Sequence, residues 1–217
     1  MIAVIFDLDG TLIDSAPEIH RVANEVLALE GLGAITLDEA RSYVGHGLPN
    51  FVAQMLTAKG QDAGDDLHER TTREMLARYA ESHELTTLYP GVRSALEQLH
   101  KAGHPLGVCT NKPYEPARAV IAHFGLTEMF GAVLGGDSLP ERKPDPRPLF
   151  HTAELLGAEK MLFVGDSEID AETGRAAGVP FALYTQGYRK VAVEDLPHAH
   201  AFDHYDALMD IVAAEAR

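Results

Sequence analysis

The chain has 217 residues, is 46% hydrophobic and carries a formal net charge of −15. Such a field repels nucleic acid and anionic membrane, so neither is an expected partner, and an anionic small molecule would need a local cationic site. A single cysteine, Cys109, excludes an intrachain disulfide and fits a reducing, cytoplasmic setting; no stretch approaches the length of a membrane span, and MIAVIFDLD lacks the basic start of a signal peptide.

The first predicted element is IAVIF (2–6), a short β-branched apolar run that reads as a buried strand, with Asp7 and Asp9 at its C-terminal end. From Ala16 to about Leu85 the pattern is helical: PEIHRVANEVLALEGL, LDEARSYV, LPNFVAQMLTAKG and DDLHERTTREMLARYAES, with VGHGLP (44–49) as a Gly-rich break. LYPGV (88–92) closes that stretch with a Pro-Gly turn. Strand and helix then alternate. VRSALEQLHKAG is a helix, PLGVCTN (105–111) a strand, PARAVIAHFGL a helix and AVLGGD (132–137) a strand. PRPLFHTAELLGA (helix), MLFVGDS (161–167, strand), AETGRAAGV (helix) and PFALYT (180–185, strand) follow. Short βα connections demand a parallel sheet with right-handed crossovers. The expected fold is therefore a doubly wound α/β core made of 1–14 and 86–217, with a helical cap domain, 15–85, inserted after the first strand. The insert reads either as a simple second domain or as a lid over the strand ends, where open α/β sheets hold their ligands.

Four strand ends carry chemistry: Asp7 and Asp9, Thr110 with Asn111 and Lys112, Lys143 in GDSLPERKPDP, and Asp166 with Asp170 in the next turn. A parallel sheet turns all of these toward one crevice. Carboxylates gathered this way need a neutralising cation, and all-oxygen coordination suits Mg2+. His198, His200 and His204 form the closest histidine cluster and read as surface loop rather than as a metal site. Each position also has an ordinary structural account: an Asx-turn at Asp7–Asp9, a solvated Lys143, a helix cap at Asp166. Their occurrence together at successive strand ends favours the functional reading.

DLDGT, the Thr-Asn pair, the lysine of KPDP and GDSxxD together resemble the haloacid dehalogenase superfamily of phosphohydrolases, over essentially the whole chain. Within it, FDLDGTLIDS, VGHGLP, NKP, RKPDPRPLF, VGDSEIDAETGRAAGVP and TQGYR are most similar to the phosphoglycolate phosphatase group. The resemblance implies a Rossmann-like core, Mg2+ as cofactor, and hydrolysis of a small phosphate ester, 2-phosphoglycolate first among them, through an aspartyl-phosphate. Asp7 would be the nucleophile and Asp9 the general acid and base; Asp7, the Asp9 carbonyl and Asp166 would hold the metal. Asp170 would hold a metal-bound water or orient Lys143. Thr110, the Asn111 amide and Lys143 would take the phosphate oxygens. Gly45, His46 and Gly47 either read the rest of the substrate or form an ordinary helix–helix turn, and Arg189 is placed loosely at the rim.

Other chemistries of the superfamily fit less well. Dehalogenases have no aspartate in the Asp9 role. Sugar phosphomutases carry a histidine where Ile19 stands, with His20 beside it here, and phosphonatases use a cap lysine, for which only Lys59 is available. A sugar phosphate or nucleotide phosphatase is the serious alternative, and a non-catalytic binding protein the remote one. The chain is expected as a monomer or homodimer, with cap hinges near Asp14–Ala16 and Leu85–Tyr89.

Overall fold

Apolar runs of three to five residues form a single six-stranded sheet. The computed structural model describes residues 1–61 and 64–216; of the segments expected above, 62 and 63 in the cap and 217 in the core lie outside the described residues. In chain order the strands are β1 (Ala3–Phe6), β2 (Ile13–Asp14), β3 (Thr87–Leu88), β4 (Leu106–Cys109), β5 (Ala132–Leu134), β6 (Met161–Gly165), β7 (Phe181–Tyr184) and β8 (His200–Phe202). The α-helices are α1 (Ala16–Leu29), α2 (Leu37–Tyr43), α3 (Leu48–Ala58), α4 (Asp65–Glu81), α5 (Val92–Lys101), α6 (Tyr114–His123), α7 (Arg147–Leu155), α8 (Glu168–Ala177) and α9 (Leu208–Glu215).

The sheet order is β5-β4-β1-β6-β7-β8, and every neighbouring pair is parallel. β1 lies at the point where the winding reverses, between β4 and β6, so its C-terminal end opens into a crevice. Alternation along β1 feeds two cores: Val4 and Phe6 pack with Leu96, Val108 and Val120, while Ala3 and Ile5 pack with Leu149, Phe163 and Phe181. A strand buried on both faces has no polar position until it ends, which is why its first aspartate appears at residue 7. Cys109, buried at the end of β4, serves as a small apolar filler; burial pushes its thiol up to about 12.

Helices α1 to α4 bury a third cluster of their own, built on Val22, Val26, Phe51, Val52, Met55 and Met75. The α2 helix begins at a capping box in which Thr36 and Glu39 exchange hydrogen bonds with each other's backbone. Three features were not anticipated from sequence, the first being the C-terminal helix α9. The two-residue strands β2 and β3 pair antiparallel where the chain leaves and rejoins the sheet. The strand β8 occupies ground assigned to a histidine-bearing loop: His200 opens it and bonds Glu215 of α9 at 2.7 Å.

Both crossings between sheet and helices are pinned. The Tyr188 hydroxyl donates to Asp14 Oδ1 (2.6 Å) and accepts from the amides of Ser15 (2.9 Å) and Ala16 (3.0 Å). Glu18, fully buried in α1, accepts from Arg21 (2.6 Å), Ser82 Oγ (2.7 Å) and the Leu85 amide (2.7 Å), so one carboxylate ties the start of α1 to the segment after α4. Glu18→Ala leaves that amide and hydroxyl without an acceptor and should cost about 2–3 kcal/mol, measured as a lowered urea midpoint; an unchanged midpoint would show that the pin carries no stability.

Candidate active site

The site is assembled at the C-terminal ends of β1, β4 and β6, with Lys143 supplied by the loop after β5. That loop crosses close to the β4–α6 connection. A Cβ on Gly136 would stand 2.4 Å from the Asn111 carbonyl oxygen, and the Gly136 amide donates to the Lys112 carbonyl at 2.8 Å. The absence of side chains there lets the loop bring Lys143 in beside Asp7.

Lys143 Nζ lies 2.6 Å from Asp170 Oδ1 and 2.9 Å from Asp7 Oδ1, with the side chain only 2% exposed. Its directed hydrogen bond goes to Asp170, so Asp7 Oδ1 has an ionic neighbour but no hydrogen-bond donor among the described residues. Burial pushes Asp7 up to about 6, against the pull of Lys143 and with the push of Asp170. Asp9 belongs to a different set of contacts. It accepts from Ser15 Oγ at 2.6 Å and from Lys112 Nζ at 3.0 Å, and Lys112 in turn contacts the Tyr79 hydroxyl of α4 and lies 3.8 Å from its ring centre. The two aspartates thus coexist because each has its own buried lysine.

Asp166 is buried and accepts from Thr11 Oγ1 (2.7 Å) and the Tyr188 amide (2.7 Å). Burial, then Asp170 and Asp7, push its carboxyl well above the usual range. It does not cap the following helix, as its ordinary account required. Ser167 is the N-cap of α8, in a capping box with Asp170. Asp170 is therefore saturated: Oδ1 takes Lys143, and Oδ2 takes the Ser167 hydroxyl (2.6 Å) and the amides of Ser167 (3.1 Å) and Asp166 (3.2 Å). Glycine makes the enclosure possible. A Cβ on Gly10 (φ +87°) or on Gly187 would fall 2.5 or 2.3 Å from Asp166 side-chain atoms.

One oxygen each of Asp7, Asp166 and Asp170 lie within 4.8 Å of one another. An all-carboxylate set of this size fits a hard divalent cation. With Asp170 committed to Lys143 and the helix cap, Asp7 and Asp166 are the side chains left to face it.

Thr110, Asn111 and Lys112 line a narrow cavity of about 50 Å³ together with Asp7 and Asp9. Ile19, Val44, Leu48, Phe51, Met75 and Tyr79 roof it. Gly45 and Gly47 line it too, whereas the exposed His46 borders the wider opening that contains Asp166 and Tyr188. The Asn111 side-chain amide donates to the Gly45 carbonyl (2.9 Å) and the Lys143 carbonyl (3.0 Å), fastening the 45–47 loop to the strand ends. Arg189 donates to the Thr185 carbonyl and lines neither cavity; its neighbour Tyr188 does. Sequence reasoning gave no role to Lys112, Tyr79, Ser15 or Tyr188. The NKP and TQGYR stretches were the available signals, but they carry no spacing that reports a long-range contact.

A parallel sheet with acidic residues at the ends of β1 and β6 and a buried lysine between them defines a class, and the chain belongs to the haloacid dehalogenase-like hydrolases, whose family model matches residues 4–184. More particularly, it is an enzyme similar to phosphoglycolate phosphatases. That of Rhodobacter capsulatus is 50% identical over 210 residues, covering 97% of this chain and 96% of the relative. That of Rhodospirillum rubrum is 40% identical over 215 residues, covering 96% and 89%. The crystal structure of a predicted phosphoglycolate phosphatase from Haemophilus somnus superposes with a TM-score of 0.91 at 28% identity, covering 97% of each chain.

The raised carboxyls make cation binding compete with protons. Below about pH 6, Asp7 keeps its proton in the folded chain, so the apparent affinity for a divalent cation should weaken by about tenfold or more per unit of falling pH. The cation-free protein should lose stability as pH rises from about 4 to about 6, because the unfolded chain releases that proton near the ordinary 3.8. Calorimetric titration with Mg2+ at pH 5, 6 and 7.5, beside cation-free melting curves, checks both; affinity independent of pH would place the cation elsewhere.

Proposed function

We propose that the chain hydrolyses 2-phosphoglycolate to glycolate and phosphate with Mg2+ as cofactor, through an aspartyl-phosphate on Asp7. The observation that carries this reading is the Asp7–Lys143 pair, buried at the end of the central strand and opening into a cavity of about 50 Å³. This reading takes a two-carbon ester as the substrate. The relatives' shared name supports the same choice.

In this reading residues 1–14 and 86–217 form the catalytic core, 15–85 the cap. Thr110, Asn111 and Lys143 hold the phosphate oxygens, with Lys143 offsetting charge as it builds. An Asp7 carboxylate oxygen attacks phosphorus and the bond to the glycolate oxygen breaks. Asp9 gives that oxygen its proton, then takes one from the water that attacks the acyl phosphate, so Asp7 is regenerated. Asp7, Asp166 and the Asp9 carbonyl would hold Mg2+, which when bound neutralises the phosphate and the nucleophile together. Asp170 acts through Lys143 by holding its ammonium in place. The Gly45–Gly47 loop, tied down by Asn111, closes the cavity over the substrate, with His46 at the mouth.

The test is phosphate release with and without EDTA, comparing kcat/KM for 2-phosphoglycolate, sugar phosphates and nucleotides. The expected result is a Mg2+-restored preference for 2-phosphoglycolate of at least about a hundredfold. A flat profile, or a sugar phosphate at the top, would overturn the substrate. Asp7→Asn should lower kcat by at least about 10³-fold in a protein that still melts cooperatively. Turnover near wild type in that variant would overturn the nucleophile.

A further inference from the structure

Lys112 stands at the boundary between the acidic floor of the cavity and its apolar roof. Its side chain is 2% exposed, and its ammonium lies 3.0 and 3.3 Å from the two Asp9 oxygens. Tyr79 packs against the same ammonium, with the ring centre 3.8 Å away. Among the described residues, Lys112 is the only cationic side chain lining the cavity; Lys143 sits behind Asp7, engaged by Asp170. A carboxylate carried into this space meets apolar side chains at every roof position but Tyr79, and burying it there without a cation is strongly unfavourable.

We propose that Lys112 is the specificity-determining residue that reads the substrate's carboxylate. The inference rests on the reading above that the ester carries one. The recognition comes from the strand end rather than from the cap loop, with the cap's Tyr79 holding the ammonium in position. Before substrate arrives, Asp9 is the partner of Lys112. The substrate carboxylate takes that place, so Asp9 is relieved of its lysine when the leaving oxygen comes alongside it. A neutral-tailed ester leaves Asp9 paired and therefore reacts poorly. Selectivity and catalytic readiness are thus set by one exchange of ionic partners.

The experiment compares kcat/KM for 2-phosphoglycolate and for ethyl phosphate, which has the same two-carbon length without the carboxylate, in wild type, Lys112→Met and Lys112→Arg. Wild type should favour 2-phosphoglycolate strongly. Lys112→Met should shrink that preference at least about thirtyfold, chiefly through KM, and Lys112→Arg should retain part of it. Loss of activity by the same factor on both esters, or a preference that survives in Lys112→Met, would overturn the inference and leave the substrate reading intact. A wild type that prefers another carboxylate-bearing ester, with that preference lost in Lys112→Met, would overturn the substrate and sustain the role of Lys112. A wild type that treats both esters alike would overturn both. If Lys112→Met fails to fold, the Lys112→Arg preference decides, since an arginine that keeps none of it contradicts recognition by charge.

Discussion

Burying four carboxylates around one strand end is the constraint on which the rest of this structure depends. Asp7, Asp166 and Asp170 are buried and the Asp9 side chain is only 12% exposed, so like charges repel through a lowered dielectric and lose hydration. Two buried lysines, Lys112 and Lys143, answer two of the four charges. Two negative charges remain, which is the charge a divalent cation brings. Without it, burial and the neighbouring carboxylates make Asp7 and Asp166 hold a proton more firmly than ordinary carboxyls. The same arithmetic explains why Lys143 holds its proton more firmly than an ordinary lysine: burial works against the charge, but Asp170 and Asp7 outweigh it.

The packing around these groups follows from the same demand. Asp166 has both oxygens served, by a hydroxyl from the β1 turn and an amide from the β7 loop, and there is no room beside it for a Cβ at Gly10 or Gly187. Gly10 therefore makes room for Asp166. Asp170 shows how one side chain joins two levels of structure. It closes the capping box that starts α8 and, with its other oxygen, anchors Lys143 from a different loop. Replacing it would leave the buried ammonium with Asp7 alone and break the capping box of α8 together, so stability and site geometry cannot be separated at that residue.

Much of this was legible in the sequence, for physical reasons. β1, β4, β6 and β7 are runs of apolar residues bounded by polar ones, and burial on both faces leaves no other pattern. The strand-end acids stood out because aspartates so close together need a reason. Short elements did not show: β2 and β3 have two residues each, and β8 is His-Ala-Phe, too brief for alternation to register. Lys112 was visible at a strand end, as the residue after Thr-Asn, but nothing local gave it a role of its own. Its burial is produced by Tyr79, thirty-three residues away in α4, and no local pattern encodes that meeting. Tyr188 was hidden in the same way, since its partners Asp14 and Asp166 belong to β2 and the end of β6.

The pairing of Asp9 with Lys112 bears on how an aspartate can serve as both acid and base. A carboxyl that must donate a proton and then accept one gains nothing from a permanent cationic neighbour, which favours only the ionised form. A cation that can be drawn to another anion would have a different effect, because in the proposed mechanism it pairs with Asp9 in the resting site and leaves when the leaving oxygen is in place. The resting site needs it, since Asp9 is mostly buried and would otherwise be an uncompensated charge beside Asp7. The proposed catalysis needs it elsewhere. The apolar roof makes that transfer favourable only for a ligand whose own charge replaces the one Lys112 leaves, so the cavity discriminates by ionic compensation rather than by shape alone.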